Sequence, residues 1–504
     1  MNFIAYTYNI RVKKCTYPYD FLFLLSPYLT AQTDVSFPTE LVKCYGDVMK
    51  LKLSVAASSL SFYKRKYGED IFCVYLENYC EAIKLFISED EQDYKSLKKN
   101  EALRIAKIAT LQKSNKTNPY SRFLQAEIRM HWAILNLKFG EEVNAALGIK
   151  QAYKLLQENQ KLYPGFVPNF KSLGFIHILS GSLPEQYQWA IKLIGMEGNI
   201  NKGLDMLTTV SLSDTPFRLE ASLLKVIAEN YIIGTEGSSS ISLQKLYEEN
   251  KDNLLIHILY SALLMKTSQS SRAIEILNSR PKGSEYIAVP QLQLYLGDAY
   301  LQKGEYENSR KHYLEFLSDY KGKNSIKDSY YKIFLSYWLQ DKEAEAMKYF
   351  DQITKVGKEA FDSDKYAQRM AKNRELPEKT LTKIRLYTDG GFFEKAYELE
   401  KNISVSTFQT KKNKLEYYYR MARLYHKSGR IQSAETYYMK TIELTTDESY
   451  YFAPNSALQL GYIYFALNET EKAKLYFRKA LAYKNYEYKN SIDNKAKAML
   501  NKIK

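Results

Sequence analysis

The chain has 504 residues, of which 45% are hydrophobic and 26% charged, with a formal net charge of +15. Only 12 prolines and 21 glycines punctuate that length, which argues against a protein of short strands and tight turns and favours helices. The positive charge is interleaved with acid, as in Glu394-Lys395 and Glu469-Thr470-Glu471-Lys472, so it reads as solvated helix faces. No nucleic-acid-binding motif accompanies it, and no specific nucleic-acid partner is expected. The 45 tyrosines suit helix packing in which rings are buried and hydroxyls reach the edge.

In chain order, the first segment is a leader. Arg11, Lys13 and Lys14 precede the apolar run Phe21 to Leu25 and a small residue, Ala31, which is the layout of a secretory signal peptide over residues 1–31. Asp20 and the length of the leader depart from that layout, and a hydrophobic first helix is the alternative. Export, to a periplasm or out of the cell, is the expectation if the leader is cleaved; otherwise the chain is cytoplasmic. No run reaches the ~20 apolar residues of a spanning helix, so no transmembrane segment is expected in the mature chain. Cys73 and Cys80 stand seven positions apart in an apparent helix, too far along one face for a mutual disulfide, and read as buried small hydrophobes.

Residues 32–181 show apolar periodicity without a repeated unit: Leu41, Val48 and Leu51, then Val74, Tyr75 and Cys80, then a longer helical pair over 122–140 and 148–162. This region is expected to cap the carboxy-terminal one. Residues 182–482 repeat a pattern. Its clearest copy is Leu296-Gly297, Tyr300, Gly304, Ser309, Tyr313 and Phe316: a small residue, an aromatic, a glycine turn, then a second amphipathic helix carrying a small residue. Copies follow at Phe334, Tyr337, Ala346 and Phe350; at Ile384, Tyr387, Gly391 and Ala396; at Ala422, Tyr425, Gly429, Ala434 and Tyr438; and at Gly461, Tyr464, Ala473 and Phe477. Weaker ones lie at Ser261, Leu264, Ala273 and Leu277, and at Ile191, Ile194, Gly203 and Leu207. The second-helix small residues, Gly203, Ala273, Ser309, Ala346, Ala396, Ala434 and Ala473, are separated by 70, 36, 37, 50, 38 and 39 positions. The first gap is a doubled interval that hides a degenerate repeat, with one helix over 218–233 and another starting near Leu243. Residues 483–504 have helical spacing and an excess of lysine, and are expected to form a basic capping helix.

By these residues the chain resembles the tetratricopeptide-repeat superfamily over roughly Tyr187 to Ala480. The resemblance implies an all-α, right-handed superhelical solenoid of helical hairpins behind a helical amino-terminal region. A fainter likeness, to the relatives of the yeast inclusion-body clearance protein, rests on Pro164-Gly165-Phe166, Gly174-Phe175, Leu183-Pro184-Glu185-Gln186-Tyr187-Gln188-Trp189 and Gly195-Met196-Glu197-Gly198. It implies an adaptor or quality-control role and no chemistry.

The search for chemistry finds none at the level of sequence. His131, His177, His257, His312 and His426 are far apart and fit no metal-ligand spacing, the glycine-rich Gly195 to Gly203 lacks the lysine and hydroxyl of a phosphate loop, and the Gly234 to Ser240 loop is no nucleophile elbow. No catalytic residue, metal or cofactor is expected. In a resembling array the first helices of successive hairpins line the concave groove. Carried over, that puts Tyr331, Leu335 and Trp338, then Tyr419, Arg423 and His426, then Tyr462 and Phe465, into a groove that binds a protein or peptide. A one-residue change of register would return several of them to helix interfaces. Two other readings stay open. One is a ligand-binding protein or enzyme with a pocket around Trp132 and Trp189; the other is electrostatic attachment of the basic tail to an acidic polymer.

Overall fold

The computed structural model describes residues 36–112, 118–183, 187–195, 198–233, 238–359, 361–445 and 450–503. The chain divides into two units, Met1–Ser36 and Phe37–Lys504, and the described helices belong to the second. The expected leader lies outside the described residues. Among these there is no strand, and no helix is long and apolar enough to cross a membrane.

The first helices are α1 (Thr39–Met49), α2 (Leu53–Tyr67), α3 (Ile71–Ser88), α4 (Glu91–Leu97), α5 (Asn100–Leu111), α6 (Pro119–Lys138) and α7 (Glu142–Leu162). They start where the chain supplies caps. Asp70 accepts from the Cys73 amide, Asp90 from those of Gln92 and Asp93, and Asn118 caps α6 with Pro119 in its first turn. Next come α8 (Asn169–Ser182), α9 (Gln188–Ile194), α10 (Ile200–Leu212), α11 (Arg218–Ile227) with a π-helical extension Ala228–Ile233, and α12 (Ser238–Glu249). The segment 218–233 is helical as α11 with its extension, and α12 starts at Ser238, ahead of the expected start near Leu243.

The regular hairpins follow: α13 (Leu254–Lys266) with α14 (Ser270–Asn278), α15 (Gln291–Lys303) with α16 (Tyr306–Asp319), α17 (Ile326–Trp338) with α18 (Glu343–Phe350). After them come α19 (Asp362–Lys372), α20 (Lys379–Gly390) with α21 (Phe393–Glu400), α22 (Lys411–Lys427) with α23 (Ile431–Leu444), α24 (Phe452–Ala466) with α25 (Thr470–Ala482), and α26 (Lys489–Lys502). Packing explains the repeat pattern. A Cβ on Gly297 would come within 2.9 Å of the Tyr313 ring, and one on Gly461 within 2.5 Å of Phe477, so the small residue is the socket for the aromatic of the second helix. Ala273, Ser309, Ala346, Ala396, Ala434 and Ala473 are all fully buried, as expected of the contact position.

Two features differ from the reading of the sequence. Gly203 does face a partner helix, but that partner is α8: a Cβ on Gly203 would meet the Gly174 carbonyl oxygen at 2.5 Å, while α9 packs on α7. The 50-residue interval holds a helix, α19, that buries Ala367, Met370 and Ala371 against α17.

The array turns back on itself, with α20 packing on α15 and α13. Gly391 ends α20 at φ +82°, where any Cβ would overlap the Ser268 carbonyl oxygen at the end of α13. The amino-terminal helices are fastened along the same hairpins. The Ile287 amide donates to the Leu51 carbonyl at 2.9 Å, Gln291 to the Ile87 carbonyl at 2.7 Å and Asn324 to the Glu89 carboxylate at 2.5 Å, and Glu91 pairs with Lys323 and Lys358.

Candidate functional site

The eight expected groove residues fall into two packed groups. Tyr331 and Leu335 are 3% and 2% exposed in the core shared by α17, α18 and α19, and Tyr419 is 3% exposed between α22 and α24. These three fill the interior instead of lining a surface, because α19 and the Phe452 ring cover the faces that a bare hairpin stack would leave open. Trp338 is half-buried; its Nε1 donates to the Pro377 carbonyl at 2.9 Å and Lys379 lies over its ring, so it fastens the segment entering α20. Arg423, His426, Tyr462 and Phe465 keep part of their surface. His426 Nδ1 lies 3.2 Å from the Tyr438 hydroxyl, and the Tyr462 ring meets Phe477 edge-on.

The same inner helices carry a charged layer that sequence reasoning missed. Lys332 on α17 donates to Asp298 of α15 at 2.5 Å and to Asp328 at 2.9 Å. Arg420 on α22 donates to Glu416 from Nε and Nη2, at 3.0 and 2.7 Å, and to the Tyr451 hydroxyl at 3.2 Å. Arg369 of α19 pairs with Glu487 ahead of α26. Arg385 of α20 lies within electrostatic reach of Arg420 and of Tyr366, Tyr331 and Tyr451. Arg385 and Arg423 occupy equivalent places 38 positions apart, the spacing of Ala396 and Ala434, and that is the one signal that could have found the pair. A cavity of about 360 Å³ between α19 and the start of α26 has Tyr366, Arg369 and Tyr488 in its wall.

A second polar cluster lies in the amino-terminal region. The buried Lys171 ammonium of α8 sits 2.5 Å from Glu127 of α6 and 2.6 Å from Glu220 of α11, and Glu220 also accepts from the Tyr45 and Tyr79 hydroxyls. Burial works against the lysine's charge, but the two carboxylates raise its pKa and keep it an ammonium. His131 lies on Tyr79, ring centroids 4.4 Å apart, and Asn78 Nδ2 is 3.1 Å from its Nδ1. Trp132 Nε1 and Arg104, both pure donors, take the Asn78 oxygen at 2.9 and 3.2 Å. The Asn78 amide nitrogen must therefore donate to an unprotonated His131 Nδ1. Burial pushes the His131 pKa down to about 3, in agreement with a neutral ring.

Glu127, His131 and Glu220 have ligating atoms within 4.8 Å of one another, a spacing compatible with a metal ion. The Lys171 ammonium already stands between the two carboxylates, so the arrangement is a closed ion triad joining α6, α8 and α11. Trp132, around which a ligand pocket was one reading, is 1% exposed and packed into this assembly, whereas Trp189 is exposed.

Residues 415–448 and 454–486, the α22–α23 and α24–α25 hairpins, each match the tetratricopeptide repeat family. Among solved structures, a monomeric mutant of IFIT1 with Gppp-AAAA is 16% identical, the alignment covering 91% of this chain and 86% of that one at a TM-score of 0.30. The apo quorum sensor NprR from B. thuringiensis is 15% identical, covering 81% and 98%, also at 0.30. The Cut9–Hcn1 hetero-tetramer of APC/C is 12% identical, covering 92% and 97%, at 0.24. Superpositions this loose bear on neither shape nor ligand. No curated protein sequence matches the chain.

Proposed function

From an array whose last two hairpins are tetratricopeptide repeats, we propose that this chain is a protein-interaction scaffold that holds a peptide or partner subunit on the inner face of its carboxy-terminal repeats. The observation that carries the reading is the row of half-buried aromatic and cationic side chains on successive first helices, Arg423 and His426 on α22 and Tyr462 and Phe465 on α24. Rigid aromatics beside an arginine are the residue types that dominate binding energy at protein interfaces. The leader-like layout of residues 1–31 supports export of the scaffold, which amino-terminal sequencing of the protein from its host would test.

Arg423→Ala combined with Tyr462→Ala removes two of these side chains and leaves the small residues Ala422, Ala434, Gly461 and Ala473 in place, at the cost of the Tyr462 edge contact on Phe477. In affinity purification from the native host, the double variant is expected to lose a partner that the wild type retains, at unchanged helical content by circular dichroism. Identical partner profiles for the two proteins would overturn the inner-face reading.

A further inference from the structure

Outer faces of these helices mix base with acid, as beside and along α25, where Lys472 and Lys474 pair with Glu469 and Glu471. Helix α2 departs from that pattern. Nine of its fifteen residues are exposed, yet none of the fifteen is acidic. Phe62 is 59% exposed, and Val55 and Tyr67 are exposed with it, on a helix that packs on α1 and α3. At about 100° per residue, Val55 falls within about 20° of Phe62, and Arg65 and Lys66 fall about 60° and 40° to either side of it. The outer face of α2 is therefore an apolar stripe with a cation along each edge. Exposed apolar surface rimmed by polar groups marks a site of interaction.

A neighbouring helix extends the stripe, and the charges around it are mostly of one sign. Lys107 of α5 reaches Glu69, just past the end of α2, at 2.5 Å, and Leu103, one turn before Lys107, is 61% exposed. Lys64 takes up Glu77 and shares Glu69 with Lys107. Glu40 accepts from the Tyr67 hydroxyl at 3.1 Å. Against that carboxylate stand three exposed cations, Lys43 one turn along α1, Arg65 and Lys66, none of them at ion-pair distance from a carboxylate among the described residues. The Lys66 ammonium lies 4.8 Å from the centre of the Tyr67 ring, so its stem follows an aromatic side chain while its charge stays at the surface.

We propose that this face of α2 and α5 rests on a lipid bilayer with anionic headgroups, Phe62, Val55 and Leu103 entering the acyl boundary while Arg65 and Lys66 meet the lipid phosphates. The layout of the face selects a lipid surface. A helix lying in a bilayer interface sinks an apolar stripe below the headgroups and reaches back up to them with cations at the edges of that stripe. Charge complementarity makes the lipid anionic, because the rim is short of acid and the whole chain carries +15. A nucleic-acid backbone would need cations in a row along the helix, and from Leu53 to Tyr63 there is none. The face stands on other helices than the row on α22 and α24, so a membrane-bound scaffold keeps its partner-binding residues free of the lipid.

The test is co-sedimentation of the full-length chain with vesicles of phosphatidylcholine, either alone or with about one lipid in three replaced by phosphatidylglycerol. The anionic vesicles are expected to carry the chain down and the neutral ones to leave it in solution. Arg65→Gln with Lys66→Gln should weaken binding about thirtyfold, and Phe62→Ser about tenfold. Arg478→Gln with Lys479→Gln, which takes two exposed cations from α25, should change it by less than about twofold, since charges away from the contact are screened. In Phe62→Trp, the emission added to that of the wild type should move to the blue on anionic vesicles alone. The replaced side chains are all exposed, and each variant is expected to melt as the wild type does by circular dichroism. No binding to anionic vesicles, or binding that the α25 pair abolishes and the α2 variants leave intact, would overturn the proposal. So would a dimer in sedimentation velocity that Phe62→Ser dissolves in the absence of lipid, a result that gives the face to a second copy of the chain.

Discussion

Replacing Lys171 by methionine shortens the side chain by its terminal atom and strips its charge from between Glu127 and Glu220. Oxygens of the two carboxylates lie within 4.8 Å of each other. At an effective dielectric of about 20, two unit charges at that distance repel by about 3.5 kcal/mol. The variant can escape by protonating one carboxylate, which from the ordinary value of 4.5 costs about 3.4 kcal/mol at pH 7. The two routes agree, and both sit at the lower end of the ~3–5 kcal/mol cost of breaking a buried pair. The second route sets the pH dependence. A carboxylate whose pKa is raised in the folded variant binds a proton that the unfolded chain does not, so the variant recovers as pH falls, and at pH 5 the cost shrinks to about 0.7 kcal/mol. Trp132, bonded to Asn78 beside the triad, reports local unfolding by fluorescence once Trp189 and Trp338 are changed to phenylalanine in both proteins. Urea titrations in that background at pH 7 and pH 5 give the difference from midpoint and slope. A loss below about 1 kcal/mol at pH 7, or one equal at the two pH values, would refute the charge argument.

Asp364 of α19 accepts from the Ser325 and Asp328 amides at 2.8 and 3.1 Å, and burial nonetheless lifts its pKa from 3.8 to about 6. Its folded value is raised, so its contribution is fully present below about pH 4 and is lost as pH rises through 6, by up to about 3 kcal/mol. Asp364→Asn should therefore gain on the wild type by that amount between pH 4 and pH 7 in paired melting curves; a difference independent of pH would be the wrong result. Gly391→Ala and Gly429→Ala form a matched pair, both at φ +82° but only the first meeting a neighbour, the Ser268 carbonyl. The second should cost the ~1 kcal/mol of a left-handed alanine and the first clearly more, and equal losses would mean that α20 does not press on α13.

What could be read in the sequence was local. Gly297 with Tyr313 and Gly461 with Phe477 are a socket and its ring within one hairpin, and their spacing carries the period. The partner of Gly203 could not be read because it is Gly174, on the far side of a short helix that breaks the period. The α19 helix leaves no mark on the repeat pattern, since the short buried stripe of Ala367, Met370 and Ala371 has no second helix of its own to pair with in sequence. The groove residues depended on helical phase. A step of one residue turns a side chain by about 100°, which is enough to carry Tyr331 and Tyr419 from a surface into the core. Arg385 and Lys171 stand on amphipathic helices among many other charges. Which of those is drawn inside is set by residues up to 49 positions away, as Glu220 is from Lys171, and nothing local records it.

The fastening of the amino-terminal helices to later hairpins also sets a clock. Glu91 reaches Lys358 across 267 residues, and Glu89 reaches Asn324 across 235. At ~5–20 residues per second of synthesis, the farther partner emerges roughly 15 to 50 seconds after Glu91 does. For that interval the nascent amino-terminal helices lack this flank, and until residues 287 and 291 emerge the Leu51 and Ile87 carbonyls accept from water. A chain cut short before residue 287 would keep that edge open permanently, so interrupted translation products of that length should be the sticky species of this protein.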